Sequence, residues 1–212
     1  MKRNTLLFIM IVAFSLLSSH TISGYFGMGA NTVSGYSERT DTGFSLSGAL
    51  SYSFIPINPL FIEPGIRYIT RTHAFPGRDP ITNIRNRTFE DLRYLDLFVK
   101  AKYNIDIGQH YLRPFVGAAP SILLKATSHH LLNNPNVSDF KTNNKDYYNG
   151  TDFLLLLGID FVLFKEGFSF GFEFNRGLTN IVKDGHDDFA VKNTTYMFNL
   201  GIVIPINTFR GM

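Results

Sequence analysis

The stretch from Phe44 to Phe54, FSLSGALSYSF, alternates between two kinds of side chain. One parity reads F, L, G, L, Y, F and the other reads S, S, A, S, S. A β-strand sends successive side chains to opposite faces, whereas a helix would mix these serines with large apolar residues three and four positions away. The pattern therefore predicts a strand with one apolar face and one small, polar face.

The same alternation recurs along the chain and predicts eight strands. They are Gly24–Val33, Phe44–Phe54, Phe61–Arg71, Leu92–Tyr103, Tyr111–Leu124, Thr151–Leu163, Phe168–Arg176 and Thr195–Ile206. The connections tend to alternate between short and long, and the two longest predicted loops are Thr72–Asp91 and Lys125–Gly150. Strands of this length with such connections are typical of transmembrane β-barrels.

The distribution of charged residues indicates which face of each predicted strand lies against lipid and which lies inside the barrel. From the second predicted strand to the eighth, the apolar parity carries no Asp, Glu, Lys or Arg between its first and last large apolar side chains. The charged residues that we place on the opposite parity are Glu63, Arg67, Asp96, Lys100, Lys102, Arg113, Asp152, Asp160 and Glu173. A soluble barrel would have to enclose all the large apolar side chains, and eight strands leave little interior room. We therefore predict the inverse arrangement, with these nine residues forming a charged network inside the barrel.

The apolar parity then faces lipid. The predicted lipid-facing residues are Leu46, Leu50, Ile66, Leu97, Val99, Leu155, Leu157, Phe170, Phe172, Leu200 and Ile202. Closure leaves no open sheet edge, and most of the enclosed charges can pair, as buried charges must. Aromatic residues near the strand ends, such as Tyr68 and Phe168, fit either an interfacial girdle or ordinary strand packing. The predicted fold is an all-β, eight-stranded antiparallel transmembrane β-barrel of the outer-membrane type.

The N-terminus has the pattern of a secretory signal peptide. Lys2 and Arg3 precede the apolar run LLFIMIVAFSLL, and small residues follow it, with cleavage predicted after Ser19 or Ser23. The run is too short to span a bilayer as a helix, which needs about 20 residues. The predicted domains are a signal peptide at 1–23 and an outer-membrane β-barrel at 24–212.

Composition narrows the classes of function. The absence of Cys excludes disulfides and thiolate metal sites. The formal net charge of +3 includes Lys2 and Arg3, so the mature chain is nearly neutral and gives no reason to expect a nucleic-acid partner. Histidine and aspartate occur together in two predicted loops: His129 and His130 with Asp139, and His186 with Asp187 and Asp188. These spacings match no known ligand pattern, so we expect neither a metal nor a cofactor.

Four short runs occur in order along the chain: FIEPGIRY from Phe61, YLDLFVKAKY from Tyr94, RPFVGAAPS from Arg113 and RGLTNI from Arg176. Together with GMGANTVSG from Gly27, they resemble the PorT-like outer-membrane β-barrel family of small "porin family" proteins. The resemblance covers most of the mature chain and implies an integral outer-membrane barrel. The founding member of that family is tied to a protein-secretion system, while most other members have no assigned biochemical role.

We expect a structural or partner-binding role in the cell outer membrane, linked to protein secretion as the resemblance implies. Eight strands leave no wide aqueous channel, so a wide pore is not expected. Membrane lipid is one expected partner, and proteins bound through the outer loops or the periplasmic turns are another. The interior charges also fit a proton or ion path, although a salt-bridged plug is the simpler interpretation.

Two further classes remain open at this point. The first is a lipid A-modifying enzyme, in which Ser121, Ser128 and His129 would supply a nucleophile and base near the outer rim. Nothing in the spacing of these residues fixes a catalytic geometry, so we expect no enzymatic activity and no catalytic residues. The second is a secreted, soluble, lipocalin-like barrel that binds an apolar ligand, because such barrels also alternate.

Overall fold

A computed structural model describes residues 20–35, 41–57, 59–78, 85–132, 140–165, 167–183 and 190–206. These residues form ten strands: β1 (His20–Ser34), β2 (Gly43–Ile57), β3 (Leu60–Arg78), β4 (Arg85–Tyr103), β5 (Ile105–Ile107), β6 (His110–Leu132), β7 (Phe140–Asn143), β8 (Thr151–Val162), β9 (Gly167–Gly177) and β10 (Lys192–Pro205). Two single 3-10 turns, Lys145–Tyr147 and Leu163–Lys165, accompany them. Within these ranges, no helix has the length and apolar character needed to cross a membrane.

Eight of the strands close into a barrel. Every pairing is antiparallel, the order is β4–β3–β2–β1–β10–β9–β8–β6, and β4 pairs with β6 to complete the ring. The short strands β5 and β7 pair only with β6. The closed eight-stranded antiparallel barrel predicted from the sequence is therefore confirmed.

The barrel has two ends with different connections. We call the end that carries the β2–β3, β4–β6 and β8–β9 connections the turn end, and the opposite end the loop end. The loop end carries the β1–β2, β3–β4, β6–β8 and β9–β10 connections. Both chain ends of the described barrel, His20 and Pro205, lie at the turn end, because β1 leaves it and β10 returns to it.

Alternation along each strand sorts side chains between the two faces. In β2, Leu46 and Leu50 point outward and are exposed, whereas Ser47 and Ser51 point inward and are buried. Glycines on the inward parity make room for large neighbours. A Cβ added to Gly158 would lie 2.4 Å from the ring of Phe115 and 2.3 Å from a backbone carbonyl of β9, so no larger side chain fits there without a shift.

Three strands run well past the predicted boundaries at the loop end. The predicted loops Thr72–Asp91 and Lys125–Gly150 are wrong in part, because β3 continues to Arg78, β4 begins at Arg85 and β6 continues to Leu132. β7 then adds a fourth strand beside β6. Alternation between apolar and polar residues fades in this region, since a strand that has left the membrane has polar solvent outside it, and the sequence pattern there is that of a loop.

The first strand also begins earlier than predicted. β1 starts at His20, and its first four residues pair with β2, while Thr21–Ser23 also pair with β10. Ser23 is buried on the inward face. Residues 1–19 lie outside the described ranges, so the signal peptide stays a prediction. Of the two predicted cleavage sites, the one after Ser19 leaves these strand pairs intact, and we expect cleavage there.

Candidate functional site

The interior of the barrel is filled in two tiers. Toward the loop end lies an apolar cluster of buried residues: Val33, Ile69, Leu92, Tyr94, Leu123, Ala126, Tyr148, Ile181, Val182, Val191 and Met197. Four of these side chains come from the β6–β8 and β9–β10 connections, which therefore fold inward over the barrel mouth. The sequence pattern predicts small and charged residues inside the barrel, and this apolar plug was not predicted.

Hydrogen bonds between the two connections hold the plug in place. Tyr148 and Val182 form an antiparallel bridge. The side-chain amide of Asn149 donates to the carbonyl oxygens of Asn180 at 2.9 Å and Val182 at 3.1 Å. The Asn180 side chain in turn accepts from the backbone N–H of Val191 at 2.9 Å. The described parts of the two segments thus form one hydrogen-bonded layer across the loop end of the barrel.

Below the plug, ion pairs cross the lumen. Arg67 Nη2 lies 2.7 Å from Asp96 Oδ2, its register partner on β4. The Arg67 guanidinium also contacts the carboxylate of Glu173, on β9, which lies across the ring from β3. Glu173 also pairs with a second cation, because Lys100 Nζ lies 2.6 Å from Glu173 Oε2. A network of this kind ties distant strands together across the interior.

A second cluster lies closer to the turn end. Lys102 Nζ donates to Asp160 Oδ2 at 2.6 Å and lies 2.9 Å from Glu63 Oε2. Ser53 and Tyr25 donate to the same Glu63 oxygen at 3.0 Å and 3.3 Å. Between the two clusters, the gap bounded by Arg67, Lys100, Asp160 and Glu173 measures about 10 Å³. That volume holds at most one water molecule, so the interior is plugged at this level.

All nine residues of the predicted interior network are buried. Seven join the two ion-pair clusters, while Arg113 and Asp152 do not. Arg113 donates to the side-chain oxygen of Asn104 at 2.6 Å and stacks on the rings of Phe61 and Tyr111. Asp152 accepts from the hydroxyl of Thr179 at 2.6 Å. Neither residue has an ion pair within the described ranges.

Two further residues of β3 point inward and were not predicted to do so. Arg71 is fully buried, and His73 is buried two residues further along. The signal was available, because both continue the inward parity of Glu63 and Arg67, but a strand boundary at Arg71 placed His73 in a loop. The side-chain amide of Asn31 lies 3.0 Å from His73 Nδ1. Arg71 and the nine predicted residues together make five cationic and five acidic buried side chains.

Arg71 is held differently from Arg67. Its Nη2 lies 3.7 Å from Asp96 Oδ2, an oxygen that already accepts two hydrogen bonds from Arg67. None of the Arg71 nitrogens donates a hydrogen bond to a described protein atom. Its guanidinium carbon lies 4.8 Å from the centre of the Tyr94 ring. Arg71 is therefore buried with a weak ion pair and one cation–π contact.

Replacing Arg71 by methionine is expected to change the free energy of unfolding by less than about 1 kcal/mol or to raise it, because a buried charge that lacks hydrogen bonds costs desolvation. Arg67→Met is the matched control, with an expected loss of about 3–5 kcal/mol, since it removes an ion pair from each of two buried carboxylates, Asp96 and Glu173. Urea unfolding of the two variants in the same lipid vesicles makes the comparison. Equal losses for both would show that Arg71 is as well satisfied as Arg67.

The outward face is apolar across the middle of the barrel. Of the predicted lipid-facing residues, Leu155 is half-exposed and the others are exposed. Phe172 on β9 is 62% exposed and Leu50 on β2 is 60% exposed. The aromatic side chains Tyr52, Tyr68, Tyr103 and Phe168 also point outward. Such an apolar outer surface around a charged interior is the reverse of a soluble protein.

The candidate catalytic residues do not come together. Ser121 is buried and donates to the Asp96 carboxylate. Ser128 donates to Glu90 Oε1 at 3.4 Å and accepts from Asn144 Nδ2 at 2.6 Å. His129 lies on the opposite parity of β6 from Ser128, and neither serine has a hydrogen bond to it among the described contacts.

Of the candidate metal ligands, Asp139 and residues 186–188 lie outside the described ranges. The described part of the chain contains no group of three or more His, Cys, Asp or Glu residues placed to hold a metal ion.

The model of one protein family, described as the outer membrane protein beta-barrel domain, matches residues 15–183. The chain belongs to this family. The protein is therefore an outer-membrane β-barrel protein and lies in the outer membrane, so the alternative of a secreted soluble barrel is wrong. Because outer-membrane barrels place short turns in the periplasm and longer loops outside, the loop end is the outer end.

Solved structures similar to this chain share little sequence with it. Neisserial surface protein A is 14% identical, covers 86% of this chain and 96% of its own, and has a TM-score of 0.46. Ail of Yersinia pestis is 14% identical, with coverages of 88% and 99% and a TM-score of 0.40. OprG of Pseudomonas aeruginosa is 12% identical, with coverages of 88% and 96% and a TM-score of 0.40. A comparison with curated protein sequences finds no match.

Proposed function

We propose that the protein is a closed, non-enzymatic barrel that binds a protein partner at its outer end. The partner-binding surface is the projecting sheet, which we define as β3 from Thr72, β4 as far as Asp91, β6 from Lys125, and β7. The observation that carries the proposal is the length of these strands. β3 and β4 have 19 residues each and β6 has 23, whereas a tilted strand crosses a bilayer in about 9–11.

The filled interior supports a binding role over a transport role. The ion-pair clusters and the apolar plug occupy successive levels of the lumen, and the plug also closes the outer mouth. A solute would have to displace paired charges and a packed layer of side chains. Strands that extend beyond the membrane serve neither closure nor insertion, so recognition is the role that explains their length.

The motifs of the sequence support a finer proposal. The runs that begin at Phe61, Tyr94, Arg113 and Arg176 resemble the PorT-like proteins, whose founding member is tied to protein secretion. We infer that the partner is a component of a secretion system. This link rests on the resemblance alone, while the binding surface rests on the projecting sheet.

Affinity purification of the intact protein in mild detergent tests the proposal. In the key variant, residues 74–89 are replaced by Asn-Gly, which closes β3 and β4 with a two-residue hairpin between His73 and Glu90. We expect the parent to retain secretion components and the variant to lose them. The matched control, Ile105→Ser/Ile107→Ser, changes exposed residues at the turn end and is expected to retain them.

Two outcomes contradict the proposal. Retention of the same partners by the shortened variant would place binding elsewhere, and loss only in the Ile105→Ser/Ile107→Ser control would place it at the periplasmic turns. If the retained partners were unrelated to secretion, the projecting sheet would still be the binding surface, but the PorT-like link would be wrong.

The proposal that the protein is not an enzyme has its own test. Mass spectrometry of lipid A from a deletion strain is expected to show an unchanged profile, and a lost modification would indicate an enzyme.

A further inference from the structure

Two basic side chains lie side by side at the outer edge of the apolar surface. Arg93 on β4 and Lys125 on β6 are register partners, at a point where the register shifts by one residue. This irregularity leaves Leu124 and Lys125 both exposed on the outside of the barrel. The Arg93 side chain is 42% exposed. Two cations are thus presented outward on adjacent strands.

Their charge is only partly neutralised. Arg93 Nε and Nη2 lie 3.3 Å and 3.2 Å from Asp91 Oδ2, which makes one weak ion pair. Lys125 has no hydrogen bond or ion pair to any described residue. Like charges directly opposite each other on neighbouring strands destabilise a sheet, so the pair favours an anion that bridges both side chains.

The pair lies at the boundary between apolar and polar surface. The register places Tyr68, Leu95 and Ile122 side by side, one step closer to the middle of the barrel. Tyr68 and Ile122 are exposed and lie at the outer edge of the apolar outer surface of the barrel. Thr70, Arg93 and Lys125 form the next outward-facing row. Because the exposed apolar side chains end one row below it, we infer that this row lies at the depth of the lipid headgroups.

An apolar groove leads away from this point across the outer face. It has a volume of about 1070 Å³, is almost entirely apolar, and includes Tyr68 and Leu95 in its lining. Gly24 and Gly48 form part of its floor between the larger side chains of Phe26 and Leu50. A Cβ added to Gly48 would meet nothing within 4 Å, so the groove is open there.

We propose that Arg93 and Lys125 bind the phosphate group of an outer-membrane lipid and that the groove takes one of its acyl chains. The two halves of such a lipid match the two adjacent features, an anion for the unbalanced cations and a hydrocarbon chain for the apolar groove. The groove opens onto the membrane itself, so the lipid reaches it by lateral diffusion. A free phosphate ion would use only the first feature.

Native mass spectrometry of the folded barrel in non-ionic detergent tests this proposal. The probes are a phosphatidylglycerol, the diacylglycerol with the same acyl chains, and inorganic phosphate. We expect the protein to retain one phosphatidylglycerol and to bind the diacylglycerol and inorganic phosphate far more weakly. Arg93→Gln/Lys125→Gln is expected to weaken phosphatidylglycerol binding on the order of 30-fold, since each interfacial basic residue contributes about 1 kcal/mol.

Two further variants separate the parts of the site. Gly48→Leu places a side chain in the groove at a position where a Cβ meets nothing within 4 Å, and is expected to weaken phosphatidylglycerol binding while both cations remain. Lys183→Gln/Lys192→Gln removes two charges at the same end and is expected to bind as the parent does. Folding of every variant is checked by heat-modifiable gel mobility, and the comparison of the three probes needs no variant at all.

Several results would overturn the proposal. Equal retention of diacylglycerol would remove the role of the phosphate, and binding of inorganic phosphate as tight as that of the lipid would show a simple anion site. Equal binding by Arg93→Gln/Lys125→Gln would show that the headgroup lies elsewhere. Equal binding by Gly48→Leu would remove the groove from the site.

Discussion

Replacing Glu173 by glutamine is expected to lower the free energy of unfolding by about 3–5 kcal/mol. The carboxylate accepts from Lys100 Nζ at 2.6 Å and from the Arg67 guanidinium, and all three groups are buried. The amide has nearly the same shape but no charge, so Lys100 loses its counter-ion and Arg67 keeps only Asp96, in a site with almost no room for water.

Urea unfolding of the barrel in lipid vesicles measures this loss. Asp146→Asn is the matched control, because Asp146 is an exposed carboxylate in the 3-10 turn and its change is expected to stay within about 0.5 kcal/mol. Combining Glu173→Gln with Lys100→Met should cost less than the sum of the two single changes, since each removes the same contact. A loss below about 1 kcal/mol for Glu173→Gln would mean that the lumen is well hydrated.

The fold could be predicted from the sequence because lipid imposes a sharp contrast between the two faces of a strand. This contrast is visible in the sequence, as apolar residues on one parity of Phe44–Phe54 and as the charged Glu63 and Arg67 on the inward parity of the next strand. Above the membrane the outward face meets water instead of lipid, so the pattern no longer distinguishes a strand from a loop. This is why β3, β4 and β6 were predicted too short, while β8 and β9 were predicted almost to the residue.

The interior could be predicted only as a set of residues, not as a set of contacts. Parity places a side chain inside the barrel, but its length and the barrel width decide what it reaches. Arg113 and Asp160 are direct register partners on neighbouring strands, yet they form no ion pair. Asp160 forms its ion pair with Lys102 instead. Arg67 instead reaches Glu173 across the ring. The plug residues Ile181 and Val182 lie in a connection, where no periodicity marks them as buried.

Placing an arginine at Leu155 is expected to lower the free energy of unfolding in a bilayer by about 2–4 kcal/mol, because a cation on the outward face of β8 would lie deep in hydrocarbon. Leu155 shares this face with Phe153 and Leu157, both exposed. The cost comes from lipid rather than from lost packing, since the side chain is already half-exposed.

Thr151→Arg is the matched control for this change. Thr151 lies on the same strand and the same outward parity, four residues closer to the outer end, and is exposed. The penalty for arginine falls to about 0–1 kcal/mol near the interface, so the control should unfold much as the parent does. A difference that persists in bilayers and shrinks in detergent would locate the cost in the lipid. Equal stabilities of the two variants in bilayers would mean that the outward face of β8 does not touch acyl chains.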